Sequence, residues 1–324
     1  MKTGRNQQRR LVLTGANGYI GSRLCQTLDN FSIIGCVRSS TNIVNGCNAI
    51  VETGNLVDFS GWGDLLQNVE CVVHLAARAH IAKDFSKNPI NEFRKINTDV
   101  TLRMAKIAAA SGVKRFVYVS SIGVLGNSTL KTGSFNNHSP FNPKEPYAVS
   151  KMEAEIGLKK ISDVTKMEVV VVRPPLVYGA NSPGNFYRLL RLVDKGIPLP
   201  FRSLDSRKSM ISLENLCDFL GKCTVKPLPN FSQFVVSDDS NWTISDLTLL
   251  IAKYMHKQQL LIPVPIILLK GVSLLAGKYK DVQKITEPLV VDSYETAKIM
   301  NWSPIYTPEE GVKDAVDFYL KHSI

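Results

Sequence analysis

Tyr147 and Lys151 lie four residues apart in Pro146-Tyr147-Ala148-Val149-Ser150-Lys151, a spacing that sets phenol and amine on one face of a helix. Proline at the first turn suits a helix start at this point. A cationic Lys151 next to the phenol lowers the tyrosine pKa from about 10 and makes it a usable acid or base near neutrality. Ser120 and Ser121 follow the apolar run Arg115–Val119, at the carboxyl edge where α/β sheets place ligands. Ser121 is therefore expected to hydrogen-bond a reacting oxygen. The spacing alone decides little, since Tyr294 and Lys298 repeat it in the C-terminal tail, away from the sheet. Ser121, Tyr147 and Lys151 are the expected catalytic set, a device for moving one proton.

The second chemical element is Leu11-Val12-Leu13-Thr14-Gly15-Ala16-Asn17-Gly18-Tyr19-Ile20-Gly21, an apolar strand running into three glycines spaced three apart. Gly15 permits a tight turn, Gly18 lets backbone approach a pyrophosphate, and Gly21 lets a helix close onto the strand. The helix start then turns N–H groups and positive dipole toward an anion. The run reads as a seat for the diphosphate of a dinucleotide, held by Gly15, Asn17, Gly18, Tyr19, Ile20 and Gly21. The next strand ends at Val37-Arg38-Ser39-Ser40. An acid there would accept from a free ribose 2′-hydroxyl, whereas Arg38 offers a planar charged fork for a 2′-phosphate. NADP(H) is expected ahead of NAD(H) on this ground.

These residues need a scaffold, and the chain supplies one. Apolar runs Leu11–Thr14, Ser32–Val37, Ala49–Val51, Cys71–Leu75, Arg115–Val119 and Glu168–Val172 alternate with helix-like stretches Gly61–Gln67, Asn91–Ser111 and Tyr147–Lys160. That rhythm predicts an α/β fold, a Rossmann-type doubly wound parallel sheet. It changes after Arg173-Pro174-Pro175, so the expected division is a dinucleotide-binding domain over 1–178 and a smaller C-terminal substrate-binding lobe over 179–324. Residues 212–225 are expected to return to the large domain.

The 324 residues carry a formal charge of +11, but the basic residues are dispersed, without a run of five like charges. Nucleic acid is not implied; an anionic small ligand or membrane surface accounts for the charge as well. Six scattered cysteines lack a C-x-x-C pair, which excludes a disulfide framework or zinc site and fits a reduced cytoplasmic protein with no metal. The N-terminal residues do not read as a signal peptide. Leu260–Gly277 is apolar but interrupted by Pro263, Pro265, Lys270 and Gly271, a poor transmembrane span. Its second part, Ile266–Leu275, is expected as a short buried helix, with peripheral membrane attachment as the alternative reading.

Together with His74-Leu75-Ala76-Ala77, Asn97 and Arg173-Pro174-Pro175-Leu176-Val177-Tyr178-Gly179, these motifs resemble the extended short-chain dehydrogenase/reductases of the NAD(P)-dependent epimerase/dehydratase family, over nearly the full length. The resemblance implies that Leu75, Ala76, Ala77 and Pro174 line the cofactor cleft, that Asn97 supports the active-site geometry, and that Lys151 also holds the nicotinamide ribose. Asn55, followed by Leu56, stands where the family usually has an acid near the adenine. The substrate is implied to be a UDP-sugar, met by Asn185 and by Arg207 or Lys208 at its diphosphate, with the choice between those two left open. Within the family the chain looks most like UDP-4-keto-6-deoxy-N-acetylglucosamine 4-reductases that make surface polysaccharide precursors. A UDP-glucose or UDP-N-acetylglucosamine 4-epimerase with bound NAD is the alternative, and a silent cofactor sensor a second. The oligomeric state, a homodimer included, stays open.

Overall fold

The computed structural model describes residues 9–39, 44–79, 88–275, 277 and 279–322. The apolar runs form strands β1 (Arg9–Thr14), β2 (Phe31–Val37), β3 (Ala49–Glu52), β4 (Cys71–His74), β5 (Arg115–Val119) and β6 (Glu168–Arg173). They pair in parallel in the order β3-β2-β1-β4-β5-β6. β4 and β5 are buried along their whole length. Strands covered on both faces have no solvent side to alternate with, hence their unbroken apolar sequences.

Helices α1 (Tyr19–Leu24), α2 (Trp62–Leu65), α3 (Pro89–Phe93), α4 (Thr101–Ala110) and α5 (Pro146–Val164) make the connections, with a π-helical turn at Arg94–Val100 between α3 and α4. Trp62, Met104, Ala108, Ala154 and Leu158 from these helices pack on Val72, Phe116, Tyr118 and Val169 of the sheet. The strand order reverses between β1 and β4, so their carboxyl ends, Thr14-Gly15 and His74-Leu75, flank the crevice where this topology receives ligands.

Beyond β6 come β7 (Leu176–Tyr178), α6 (Asn185–Asp194), β8 (Lys208–Ser212), α7 (Leu213–Val225), β9 (Phe231–Val235), β10 (Asn241–Trp242) and α8 (Ile244–Tyr254). The chain ends with α9 (Ile266–Leu275), α10 (Tyr279–Thr286), α11 (Tyr294–Met300) and α12 (Pro308–His322). β9 adds to the large sheet beside β6 as its seventh strand, while β10-β8-β7 form a separate small sheet. Two compact units result: Met1–Val124, Pro143–Arg173 and Cys217–Phe234 form the first, and Leu125–Asn142, Pro174–Leu216 and Val235–Ile324 the second. This differs from the division read from sequence. Leu125–Asn142 falls in the second unit because Thr129 and Phe135 hydrogen-bond to the Pro288–Val290 backbone. The returning segment begins at Cys217 and runs on through β9. In the second unit Tyr178, Phe186, Leu190, Met210, Ile251 and Val316 form the core.

One expectation is overturned outright. Ile266–Leu275 is helical, but it is not buried: Ser273 is its one buried residue, and most of its leucines, isoleucines and valines face solvent.

Candidate active site

At the end of β1 the chain turns through Gly15 at φ +70°, a left-handed conformation that favours glycine. A Cβ on Gly21 would stand 2.1 Å from the Gly15 carbonyl oxygen, and one on Gly15 would stand 3.0 Å from the Ala76 nitrogen. The glycines therefore allow α1 and the segment after β4 to close on the same turn. Gly18 N-caps α1 without a side-chain cap, and Asn17 and Gly18 are exposed while Tyr19 and Ile20 are half-buried. Leu75, Ala76 and Ala77, also half-buried, follow β4 directly, and the Ala76 N–H donates to Thr14 Oγ1 at 3.2 Å.

Under this turn His74 is fully buried between two threonines, with Nδ1 at 2.6 Å from Thr14 Oγ1 and Nε2 at 3.0 Å from Thr101 Oγ1. Thr101 donates its hydroxyl proton to the Asn97 carbonyl at 2.8 Å, so its oxygen must accept from His74 Nε2–H, leaving Nδ1 to accept from Thr14. Burial pushes the imidazole down to about 3, with the charge of Lys151 acting in the same direction. His74 is a neutral strut of fixed tautomer.

Asn97 lies in the π-helical turn, buried. Its Oδ1 accepts from the Arg78 N–H at 2.8 Å, and its Nδ2 donates to the Arg78 carbonyl at 3.1 Å and to Ser150 Oγ at 3.0 Å. Ser150 Oγ in turn donates to the Tyr147 carbonyl at 2.7 Å, and Thr98 Oγ1 donates to the Ser150 carbonyl at 2.8 Å. Asn97 thus clamps the segment after β4 to the first turn of α5, where Tyr147 and Lys151 sit.

The three expected catalytic residues all belong to the first unit. Ser121, half-buried, accepts from the Gly123 N–H at 3.1 Å. Its neighbour Ser120 is buried and donates to Glu155, which makes Ser120 structural and leaves Ser121 at the strand end. Tyr147 is half-buried, with Phe93 edge-on to its ring at a centroid distance of 6.1 Å. Lys151 is buried; its Nζ donates to the Val119 carbonyl at 2.8 Å and lies 4.5 Å from the Tyr118 ring centroid and 6.0 Å from that of Tyr147.

The expected electrostatics do not hold in this arrangement. Burial pushes the Tyr147 phenol up to about 12, and burial pulls Lys151 from 10.5 down to about 7, opposed by the Glu155 carboxylate. Desolvation penalises phenolate and ammonium alike, so it outweighs the mutual stabilisation that a charged pair in water would enjoy. At neutral pH the phenol is in its acid form and Lys151 is poised at its midpoint.

Sequence reasoning missed the partner that stabilises this end of α5. Glu155, one further turn along the Tyr147–Lys151 stripe, pairs with Arg173 at 2.7 Å, both side chains 1% exposed. Arg173 also donates to Gln233 Oε1 at 2.8 Å. The ion pair ties α5 to the end of β6, and Ser120 adds the end of β5. The signal was the (i, i+4) spacing from Lys151 to Glu155, facing the Arg-Pro-Pro motif.

Arg38, just past β2, is exposed, as is Ser39, and has no ion-pair partner among the described residues; Ser40 lies outside them. Asn55 is exposed and engaged in its own turn, accepting from the Val57 N–H at 3.2 Å and donating to Asp58 at 2.9 Å. Leu56 packs against the core. Pro174 is buried and begins the second unit's segment Pro174–Leu216. In that unit Asn185 is exposed as the first residue of α6, after Gly184 at φ +76°. Lys208 and Arg207 differ sharply. Lys208 is half-buried with its ammonium on the Glu287 carbonyl, and burial pulls it down to about 8. Arg207 is exposed, with a single NH1 donation to the Asn241 carbonyl at 3.2 Å. Among the described residues no group of three His, Cys, Asp or Glu could hold a metal ion.

Residues 11–203 match the model of the NAD dependent epimerase/dehydratase family. The chain belongs to that family and is an extended short-chain dehydrogenase/reductase enzyme. A UDP-glucose 4-epimerase of Vibrio cholerae is 35% identical over 99% of both chains. Among solved structures, a UDP-glucose 4-epimerase of Thermotoga maritima with UDP-glucose superposes with TM-score 0.78 at 20% identity, covering 97% of this chain and 100% of the other. A UDP-glucuronic acid 4-epimerase of Bacillus cereus in complex with NAD superposes with TM-score 0.76 at 18% identity, covering 96% and 99%.

Proposed function

We propose that the chain is a UDP-sugar 4-epimerase that works with a bound nicotinamide dinucleotide. The observation that carries this reading is the full-length likeness to the V. cholerae UDP-glucose 4-epimerase, joined to an intact Ser121, Tyr147 and Lys151 at the carboxyl edge of the sheet. Gly15, Gly18 and Gly21 fit a dinucleotide diphosphate, because a Cβ on Gly21 would collide with the turn that the diphosphate is to rest on. Ala76 and Ala77 would flank it, with Lys151 at the ribose. Bound NAD supplies the acceptor and donor of the hydrogen at C4 of the sugar.

Tyr147 exchanges the proton of the sugar 4-hydroxyl, and Ser121 hydrogen-bonds the same oxygen in both directions. To accept the 4-hydroxyl proton Tyr147 must first give up its own, and Lys151, near its midpoint at neutral pH and so partly in the amine form, is the neighbouring group able to take it up; both protons go back in the reverse half-reaction. Arg207 is the better diphosphate clamp, since Lys208 is already engaged with Glu287, and Asn185 meets the nucleotide-sugar at the start of α6.

A 4-keto reductase using NADPH is the second reading, favoured by Arg38 at the end of β2 and by the acid form of Tyr147, which suits one-way protonation of an alkoxide. Two incubations separate them. An epimerase converts UDP-glucose or UDP-N-acetylglucosamine to the C4 epimer with no added nucleotide and leaves NADPH untouched. A reductase consumes one NADPH per UDP-4-keto-6-deoxy-N-acetylglucosamine, and that result without epimer formation overturns the proposal. Arg38→Asp lowers NADPH affinity only if Arg38 meets a 2′-phosphate; unchanged NADPH binding removes the support for the second reading.

A further inference from the structure

Helix α9 has its polarity inside out. At 3.6 residues per turn, Ile267, Leu268, Gly271, Val272, Leu274 and Leu275 share an outer arc of about 160°, and that arc holds no polar side chain. Ile267 is 86% exposed, Leu275 91%, Leu274 67%, Val272 59% and Leu268 56%. The inward position belongs to Ser273, whose hydroxyl donates to the Lys270 carbonyl at 2.8 Å. A core-facing helix presents the opposite pattern, and contiguous exposed apolar surface of this kind marks an interaction site. The approach to the helix continues it, with Leu260 and Ile262 also exposed.

We infer that the outer face of α9 docks the protein on an anionic lipid bilayer. Charge selects this occupant. From Leu247 to Lys280 the sequence has no Asp or Glu and five lysines, of which Lys257 is paired with Asp194. Lys270 lies within α9, and the exposed Arg202 lies beside the apolar approach, its backbone N–H bonded to the Ile262 carbonyl at 3.4 Å. Exposed apolar side chains within a stretch whose charged residues are all basic meet both parts of a bilayer interface, acyl chains below and anionic headgroups above. A second copy of the chain, itself carrying +11, would set like charges against these lysines. Ten residues make a helix of about 15 Å, half the hydrocarbon thickness of about 30 Å, so α9 lies along the interface. No helix among the described residues is long and apolar enough to cross a membrane.

The test is co-sedimentation of the full chain with extruded vesicles of phosphatidylcholine alone or with one quarter phosphatidylglycerol, at low and high salt. Binding is expected to the anionic vesicles and to weaken as salt rises. The Leu268→Asp/Leu275→Asp variant, altered only at exposed positions, should bind at least tenfold more weakly, and Lys270→Glu several-fold more weakly. Circular dichroism and the thermal midpoint confirm that each variant is folded. Absence of vesicle binding by the wild-type chain, equal binding to both vesicle types, or binding unchanged in a folded Leu268→Asp/Leu275→Asp variant overturns the inference. So does a wild-type dimer that ignores vesicles and dissociates on that substitution, which would assign the face to a second copy.

Discussion

Replacing Lys151 with methionine should stop turnover and yet make the protein more stable. The folded chain pulls this lysine from 10.5 to about 7, and at about 1.4 kcal/mol per pH unit the gap amounts to about 5 kcal/mol. The sign follows from proton binding. Between pH 7 and 10.5 the unfolded chain holds the proton more tightly than the folded one, so stability from this group rises with pH through that window. Below about pH 7 both states are protonated and the whole penalty of burying the ammonium is present. At pH 7, the midpoint of the folded group, about 4 kcal/mol remains. Methionine fills a similar volume without a charge, but forfeits the bond to the Val119 carbonyl, at about 1 kcal/mol. Lys151→Met is therefore expected to be about 3 kcal/mol more stable at pH 7. Urea unfolding followed by circular dichroism at pH 6, 7, 8 and 9 measures the difference, which must shrink as pH rises above 7. A variant no more stable than wild type at pH 6, or a pH-independent gap, would refute the claim that Lys151 is held uncomfortably charged.

Tyr147→Phe should cut kcat by about two to four orders of magnitude and leave dinucleotide affinity near wild type, since only the proton donor is lost; fluorescence titration with the nucleotide checks the second half. Glu155→Ala leaves the buried Arg173 charge uncompensated by a carboxylate and should cost about 3–5 kcal/mol in urea unfolding, with Glu155→Leu/Arg173→Met recovering most of it. Arg207→Ala should raise KM for a UDP-sugar about tenfold or more, as expected for a lost charge-assisted hydrogen bond, and flatten its salt dependence, whereas Lys208→Met should change KM little and stability more.

What could be read from the sequence was whatever depends on period and backbone geometry. The glycine spacing, the strand alternation and the Tyr147–Lys151 stripe are set by local conformation, and the structure builds each where it was expected. What depends on burial was not legible. Burial moves Tyr147 up and Lys151 down, against the expected direction for the phenol, because desolvation is a property of the packed chain. The run Ile266–Leu275 is apolar enough for a core, and apolarity alone does not say whether protein covers it. Asn55, placed near the adenine by family likeness, has both side-chain ends engaged within its own turn. The engagement of Lys208 with the Glu287 backbone carbonyl, far along the chain, left no trace in the local sequence around Arg207 and Lys208. The short strands β7, β8 and β10 leave too little pattern to announce the small sheet.

His74 has a consequence for spectroscopy. Its proton is fixed on Nε2 by Thr101, its Nδ1 is saturated by Thr14, and its midpoint near 3 lies well below any working pH. In a nitrogen-15 spectrum the two ring nitrogens should stand apart as one protonated and one bare imidazole nitrogen and hold still across the working pH range. Because the threonines on either side of that ring end β1 and begin α4, the same pair of resonances reads out whether the floor beneath the glycine turn is assembled, with no substrate present and no turnover required.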